Sequence, residues 1–321
     1  MLALSLVFTS CDDILGEWDR PAPNPVVPTP TPEPEPEPTP TPGLLTGKFT
    51  INASGDKIQF SQGNLQATYD GSAWTWAFAE HQWDYIGGRS DGGSEPETGN
   101  NYINGNGTVS AAGTVDLFGW VGESSTVLTS DPAKYGISNS ITLNDYGTKK
   151  GSEGETLKSD WGNTIGTGWR TLTGGAGGEW RYLLEFRTTG GTVFGTASAR
   201  YAHATINTDG TPVNGLILFP DGVDIADSEV TTAGTVNDIS AWGTKCTSAQ
   251  WTALAAKGCV FLPAAGYREG STVNSDEGYY WSSSPFDSNC ACNVDFKSSG
   301  IAWNSYYYHK GFSVRLVRDV E

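Results

Sequence analysis

Gly278-Tyr279-Tyr280-Trp281-Ser282-Ser283-Ser284 begins the most informative part of this 321-residue chain, and Gly311-Phe312-Ser313-Val314-Arg315-Leu316-Val317-Arg318 ends it. In Val314-Arg315-Leu316 the apolar residues alternate with a charge, as they do in a half-buried strand. Between the two segments, Trp303 to His309 combines amphipathic aromatic rings with short hydrogen-bonding side chains, a composition typical of antibody paratopes. The two segments therefore predict core strands, and the stretch between them predicts a binding surface.

The N-terminus predicts an exported lipoprotein. Leu6-Val7-Phe8-Thr9-Ser10-Cys11 resembles a bacterial lipobox, whose cysteine is lipidated, and Asp12-Asp13 resembles the export signal of Bacteroidetes surface lipoproteins. We interpret residues 1–10 as a signal-peptide remnant, although an ordinary apolar N-terminus with a buried cysteine is the alternative. No apolar run approaches the roughly 18 residues that a transmembrane helix needs. We expect the protein to lie at the cell surface, on the outer membrane, anchored by lipid alone.

Residues 21–42 contain 11 of the 17 prolines. Proline at every second position fixes φ and removes backbone donors, so this segment favours an extended polyproline II stalk. We assign residues 11–43 to the lipidated N-terminus and linker, and residues 44–321 to one domain. Within it we distinguish a β-rich part, about 44–160, from a second part, about 160–321.

Composition limits the fold and the partners. The net charge is −17 and no basic patch is present, so nucleic acid is not an expected partner. The 41 glycines and 12 tryptophans indicate a loop-rich β-containing domain with aromatic anchors. Gly47 to Gln59 predicts a hairpin, whereas Glu179 to Phe186 and Ser248 to Leu254 predict short helices. The predicted class is α+β, with short antiparallel strands, two or so helices and long loops.

Several motifs resemble one superfamily. Trp169-Arg170-Thr171-Leu172 followed by Glu179-Trp180-Arg181-Tyr182-Leu183 is similar to the signature of the C-type-lectin-like superfamily, which includes formylglycine-generating enzymes and the Fibrobacter major paralogous domain. Phe261 to Arg268 and the two C-terminal segments resemble the same group in the same order. The chain departs from the signature at Thr171-Leu172-Thr173, which lacks a proline, and at the glycine run Gly174 to Gly178. The resemblance implies a C-type-lectin-like fold like that of Bacteroides surface lipoproteins.

The superfamily also contains the variable proteins of diversity-generating retroelements, and their resemblance implies a ligand-binding face between the Trp-Ser-Ser motif and the last strand. The candidate contact residues that it implies are Asn289, Asn293, Asp295, Lys297, Trp303, Asn304, Tyr306, Tyr307, Tyr308 and His309. Strand alternation independently predicts Val294 and Phe296 toward the core and Asn293, Asp295 and Lys297 outward. A polar loop in a paralogue that is not diversified is the alternative.

Motifs of catalysis are not found in the sequence. The close pair Cys290-Ala291-Cys292 does not match the cysteine motif of formylglycine-generating enzymes, and the three histidines have no metal-ligand spacing. Asp221, Asp224 and Asp227 could hold Ca²⁺, but we favour a solvated acidic loop. We expect no enzymatic activity, no cofactor and no metal.

The cysteines after Cys11 are even in number, which permits disulfides in an exported protein. Cys246–Cys259 is the first pair to test. Cys290 and Cys292 would share one face of a strand without bonding each other easily.

The sequence thus predicts a surface lipoprotein that binds an unknown protein or glycan ligand. Two rival interpretations remain: a structural subunit of a surface appendage, and a carbohydrate-active enzyme.

Overall fold

The computed structural model describes residues 42–87, 99–100, 112–120, 160–208, 210–238, 241–269, 272–274, 277–287 and 290–320. These residues belong to the unit Thr41–Glu321. Cys11, nearly all of the proline-rich segment and the contact candidate Asn289 lie outside the described residues.

Short strands dominate the described part of the chain. The first nine are β1 (Phe49–Thr50), β2 (Lys57–Phe60), β3 (Leu65–Tyr69), β4 (Trp74–Phe78), β5 (Gly113–Val115), β6 (Arg170–Thr171), β7 (Thr192–Val193), β8 (Thr196–Ala197) and β9 (Tyr201–Thr208). The remaining strands are β10 (Thr211–Leu218), β11 (Thr244–Thr247), β12 (Val260–Pro263), β13 (Tyr267–Glu269), β14 (Thr272–Asn274), β15 (Gly278–Pro285), β16 (Cys290–Lys297), β17 (Gly300–Tyr307) and β18 (Leu316–Asp319).

Two α-helices are described, α1 (Glu179–Arg181) and α2 (Ser248–Ala256). A π-helical turn, Tyr182–Phe186, continues α1, and 3₁₀ turns occur at Trp161–Thr164 and Asp227–Glu229. Among the described residues, no helix has the length and apolarity that crossing a membrane requires.

The strands form small sheets that are almost entirely antiparallel. Their orders are β1-β2-β18-β6, β11-β9-β10-β12, β4-β3-β5, β15-β16-β17, β13-β14 and β7-β8. Only β11 and β9 pair in parallel among the described strand pairs. The protein is therefore a mostly β domain with two short helices, which agrees with the predicted class at this coarse level.

The short helices form where the sequence predicts them. Thr247 caps α2, because its hydroxyl accepts a hydrogen bond from Gln250 N at 3.2 Å while the Gln250 side chain accepts from Thr247 N at 2.9 Å. At α1 the same exchange spans the glycine run: Glu179 N donates to Thr173 Oγ1 and Thr173 N donates to Glu179 Oε2. The inserted glycines therefore do not prevent capping.

The first glycine of that run is explained by a close approach. A Cβ atom on Gly174 would lie 2.4 Å from Ser282 Oγ and 2.7 Å from Cys292 Cβ. The loop before α1 consequently packs directly on the sheet β15-β16-β17, and only glycine leaves room for it.

The segment Val314-Arg315-Leu316, predicted as part of a half-buried strand, is buried throughout. β18 begins at Leu316, and the charged residue of Val314-Arg315-Leu316 is 0% exposed. Its guanidinium donates to Asn64 Oδ1, Gln82 Oε1 and two backbone carbonyls at 3.2–3.4 Å. The half-buried pattern was wrong for Arg315, because distant polar groups accept from its Nη atoms inside the core, whereas its Nε has no partner among the described residues.

The cysteines do not form the disulfide that we singled out. Cys246 and Cys259 are buried in one apolar cluster with Trp251 and Phe261, and both are free thiols. Burial raises the pKa of Cys246 to about 11. Cys290 and Cys292 lie, as predicted, on the same face of one strand.

Candidate ligand-binding site

Strand register sorts the predicted contact residues between two faces of the sheet β15-β16-β17. β16 and β17 pair without interruption from Cys290↔Tyr307 to Lys297↔Gly300. Paired residues in an antiparallel sheet point to the same side, and successive residues alternate. One side, which we call the front face, carries Asn293, Asp295, Lys297, Asn304 and Tyr306. The other, the rear face, carries Val294, Phe296, Ile301, Trp303 and Tyr307.

The predicted alternation of β16 is correct for its core side. Val294 and Phe296 are buried on the rear face, at 0% and 1% exposure. Lys297 is exposed, whereas Asn293 and Asp295 on the front face are only 3% and 6% exposed. The expectation that these two side chains project freely into solvent was therefore wrong, because neighbouring strands and aromatic rings cover them.

Asp295 is the centre of a polar cluster on the front face. Its Oδ1 atom accepts hydrogen bonds from Asn304 Nδ2 at 2.7 Å and from Asn293 Nδ2 at 3.3 Å. Burial raises the pKa of the Asp295 carboxyl and the nearby Glu277 carboxylate raises it further, whereas the two amide donors oppose the shift. This environment makes the carboxylate a costly group unless something else satisfies it.

Part of the hydrogen-bonding capacity of this cluster is unused. No described residue donates to Asp295 Oδ2 or forms a salt bridge with this carboxylate. The nearby ammonium of Lys297 lies 3.7 Å from Glu277 Oε1 instead. Asn293 Oδ1 is buried and also lacks a partner among the described residues. The cluster thus contains a carboxylate oxygen and an amide oxygen that have no donor among the described residues.

An aromatic pocket adjoins this cluster. Four rings and one ammonium line a cavity of about 60 Å³, namely Tyr267, Tyr279, Tyr306, Phe312 and Lys310. Tyr279 packs edge-on against Tyr267 and Tyr306, with ring centroids 5.0 and 5.9 Å apart. Its hydroxyl donates to Glu277 Oε2, which links the pocket to the charged rim. Rigid aromatic rings beside short polar side chains are typical of ligand-binding surfaces.

The last two predicted contacts lie in the interior. Tyr308 is 0% exposed: its ring stacks on Trp120 at 4.6 Å, and its hydroxyl donates to the Asp287 carbonyl at 2.6 Å. His309 is 4% exposed and stacks on Tyr307. Burial lowers the pKa of His309, and the neighbouring Lys310 lowers it further. The structure therefore corrects the prediction for Tyr308, which stabilises the fold instead of meeting a ligand.

On the rear face, Trp303 is half-buried against the core and Tyr307 is 46% exposed. These two residues cannot join the Asp295 cluster, because the sheet separates them from it.

Sequence reasoning missed the partners that complete the front face. They are Glu277, Tyr279, Tyr267 and Lys310. Tyr267 and Tyr279 lie within motifs that we used only for the family resemblance, and Glu277 and Lys310 directly adjoin such motifs. In the sequence, the aromatic or charged character of these four residues was the feature that could have indicated a role in binding.

The acidic side chains of the loop after β10 bond to neighbouring segments of the fold. Asp221 bonds to Arg187 at 3.0 Å and to Lys57 at 3.1 Å, and Asp224 accepts from Thr192 N at 2.8 Å. Across the described residues, no group of three or more His, Cys, Asp or Glu side chains is arranged to hold a metal ion.

Comparison with known proteins gives one match. Residues 180–317 match the model of a domain family described as a domain of unknown function, DUF8237. The match covers less than half of the chain and includes both faces of the sheet β15-β16-β17. No curated protein matches the chain, and no solved structure does.

Proposed function

We propose that this protein is a lipid-anchored receptor of the bacterial cell surface, with a C-type-lectin-like domain that binds a protein or glycan ligand through the front face. The observation that carries the proposal is Asp295. It is a nearly buried carboxylate without a cationic partner among the described residues, fixed by two amides beside an aromatic pocket. Such a group lowers stability in the free protein, so a role in ligand binding explains its presence better than packing does.

Asp295→Asn tests this role. Asparagine preserves the shape and one acceptor but removes the charge, so we expect binding to weaken about tenfold or more. We expect no loss of thermal stability at neutral pH, because the substitution removes a buried charge whose pKa is raised. The measurement compares the full chain and its variant on a glycan array and a peptide library, together with thermal unfolding.

Asp227→Asn is the matched control, because Asp227 is exposed in a 3₁₀ turn remote in sequence from the site. It makes the same change of charge and should bind as the unmodified chain does. Equal binding by Asp295→Asn and the unmodified chain would remove Asp295 from the site.

Tyr307→Ala should leave binding by the front face unchanged and should change the free energy of unfolding by less than about 1 kcal/mol, because Tyr307 lies on the rear face. The ring is 46% exposed at the end of β17, so its removal opens little of the core. Urea unfolding and the same binding assays check both parts. Weakened binding would extend the ligand site onto the rear face, and a large loss of stability would assign Tyr307 to the core.

Diversification by a retroelement is tested at the level of the gene. We expect a nearby imperfect repeat that differs at adenines, and variation of codons 288 to 310 between cells. Deep sequencing of the 3′ end of the gene and its flanking DNA measures both. A fixed segment without a repeat would make the protein a dedicated binder.

A structural surface subunit is the second candidate, supported by the position of β17. This strand pairs only with β16 among the described strands, so its other edge is available to a strand of another protein. A stable stoichiometric partner encoded at the same locus would favour this function.

A further inference from the structure

We propose that a cleft on the rear face, walled by Trp303, binds one uncharged saccharide unit, independently of the front-face site. The cleft has a volume of about 270 Å³ and lies between β17 and the segments around Leu184, Arg200 and Asn237. Its size is close to the lower end of the range for small-molecule sites, which suits one ring of a glycan.

The apolar wall comes from β17. Trp303 and Ile301 line the cleft and are half-buried against the core, which fixes their positions. An indole that is held by packing presents a flat surface at little cost in conformational entropy. The face of a pyranose ring, with its row of C–H groups, is complementary to such a surface.

Unused hydrogen-bond donors point to an oxygen-rich ligand. Arg200 donates its Nε to the Leu184 carbonyl at 2.9 Å, and no described residue accepts from its terminal Nη groups. The hydroxyl of Tyr201 and the indole N–H of Trp303 likewise have no partner among the described residues. Three side chains that line one cleft therefore offer donors at the same place.

Acceptors are present in the same cleft. The carboxylates of Glu185 and Asp238 line it, and both lie close enough to Tyr201 to raise the pKa of its hydroxyl, after the larger effect of burial. A hydroxyl group both donates and accepts, so a polyol can use the donors and the carboxylates together.

The balance of charge selects against ionic ligands. Arg181, which is not part of the lining, pairs with Glu185 at an Nε–Oε2 distance of 2.5 Å, so the other charged groups of the lining are one guanidinium, Arg200, and one carboxylate, Asp238. Their formal charges cancel. An anion would meet the carboxylates of Glu185 and Asp238 and a cation would meet the guanidinium of Arg200, whereas a neutral sugar avoids both repulsions.

The rigid base of the cleft supports a preformed site. Asn237 Oδ1 accepts from Arg200 N at 2.6 Å, and Asn237 Nδ2 donates to the Ser198 carbonyl at 3.2 Å. Asn237 adopts a positive φ of 57°, which asparagine tolerates better than most residues. The segment that carries Arg200 and Tyr201 is therefore fixed before a ligand arrives.

Ligand-observed NMR on the full chain tests the proposal. The probes are the methyl glycosides of glucose, galactose and mannose, and N-acetylglucosamine, compared with glucuronate and glucosamine as charged analogues. We expect saturable binding of at least one neutral probe below about 10 mM, and binding about tenfold weaker for its charged analogue. The absence of saturable binding by every neutral probe would overturn the proposal, as would equal binding of the charged analogues.

Two variants locate the binding site. Trp303→Leu removes the flat wall but keeps an apolar side chain against the core, and Tyr201→Phe removes one hydroxyl. We expect affinity for the bound sugar to fall at least about tenfold in the first and several-fold in the second. Tyr69→Phe is the matched control, since it deletes a hydroxyl of a half-exposed tyrosine on β3, whose bond is to the Gly71 carbonyl.

Asp295→Asn separates this site from the front-face site. If sugar binding is lost in Asp295→Asn and retained in Tyr201→Phe and Trp303→Leu, the sugar occupies the front face and the rear cleft is not its site. If Tyr201→Phe and Trp303→Leu lose the sugar and Asp295→Asn retains it, the rear cleft is confirmed, whatever the front face binds.

Discussion

Trp281→Ala is expected to lower the free energy of unfolding by about 3–5 kcal/mol, among the largest effects of any single substitution in this chain. The indole is 0% exposed and packs on Phe312, with ring centroids 4.3 Å apart. Its Nε1 donates to the Phe118 carbonyl at 2.7 Å. Alanine would leave a large cavity and would remove one of the two hydrogen bonds to the Phe118 carbonyl, which still accepts from Phe312 N at 2.8 Å.

Urea unfolding at 25 °C measures this effect as a lower midpoint with an unchanged slope. Trp74→Ala is the control, because Trp74 lies half-exposed on β4 and packs mainly on Tyr69. Trp74→Ala should lower the free energy of unfolding much less than Trp281→Ala does. A loss below about 1 kcal/mol for Trp281→Ala would show that the Trp-Ser-Ser motif does not organise the core as its contacts indicate.

The same contacts explain why this motif is a signal of fold and not of function. Trp120 Nε1 donates to the Ser282 carbonyl at 2.9 Å, and Ser282 Oγ donates to the Cys292 carbonyl at 2.7 Å. The motif therefore joins β15 to β16, and through Trp120 it joins β15 to the first part of the domain, about residues 44–160. Each of its residues is buried, so none is available to a ligand.

Local elements were predictable because their causes are local. The hairpin of β1 and β2 follows from alternation in Gly47 to Gln59, and α2 follows from a cap and its glutamine three residues later. The helical face of Trp180, Leu183 and Leu184 is buried as its spacing predicts. The π-helical turn that continues α1 has no comparable signal in the sequence.

The candidate site was predictable only in part, because burial depends on residues far away in the chain. Alternation located Val294 and Phe296 in the core, but it could not show that Trp120 covers Tyr308 across 188 positions of sequence. The family resemblance implied a single face for all contact candidates. The register of β16 and β17 instead divides them, so that Asn304 and Trp303, which are neighbours in sequence, serve opposite faces.

Asp116 gives the fold an unusual dependence on pH. The carboxyl is 0% exposed, with Oδ1 accepting from Asn100 Nδ2 at 2.8 Å and Oδ2 accepting from Ile86 N at 2.8 Å. Burial raises its pKa from 3.8 to about 6, although these hydrogen bonds oppose the shift. Of the ionisable groups near it, Arg268 donates to the adjacent Leu117 carbonyl at 3.0 Å, and burial raises the pKa of the neighbouring Tyr280 above its ordinary value.

Because the folded pKa of Asp116 exceeds the unfolded one, the folded state binds the proton more tightly between about pH 4 and pH 6. Stability from this group is therefore fully present below about pH 4 and is lost as the pH rises through about 6. We expect acidification from pH 7 to pH 5 to stabilise the unmodified chain by about 1–2 kcal/mol relative to Asp116→Asn, in which no proton can be taken up. Both proteins contain Asp160 and Asp295, whose pKa values are also raised. The difference between the two plots of unfolding free energy against pH therefore excludes the contribution of these two groups. Urea unfolding of both proteins across this range measures the difference, and parallel pH profiles would show that Asp116 is already neutral or remains fully charged in the fold.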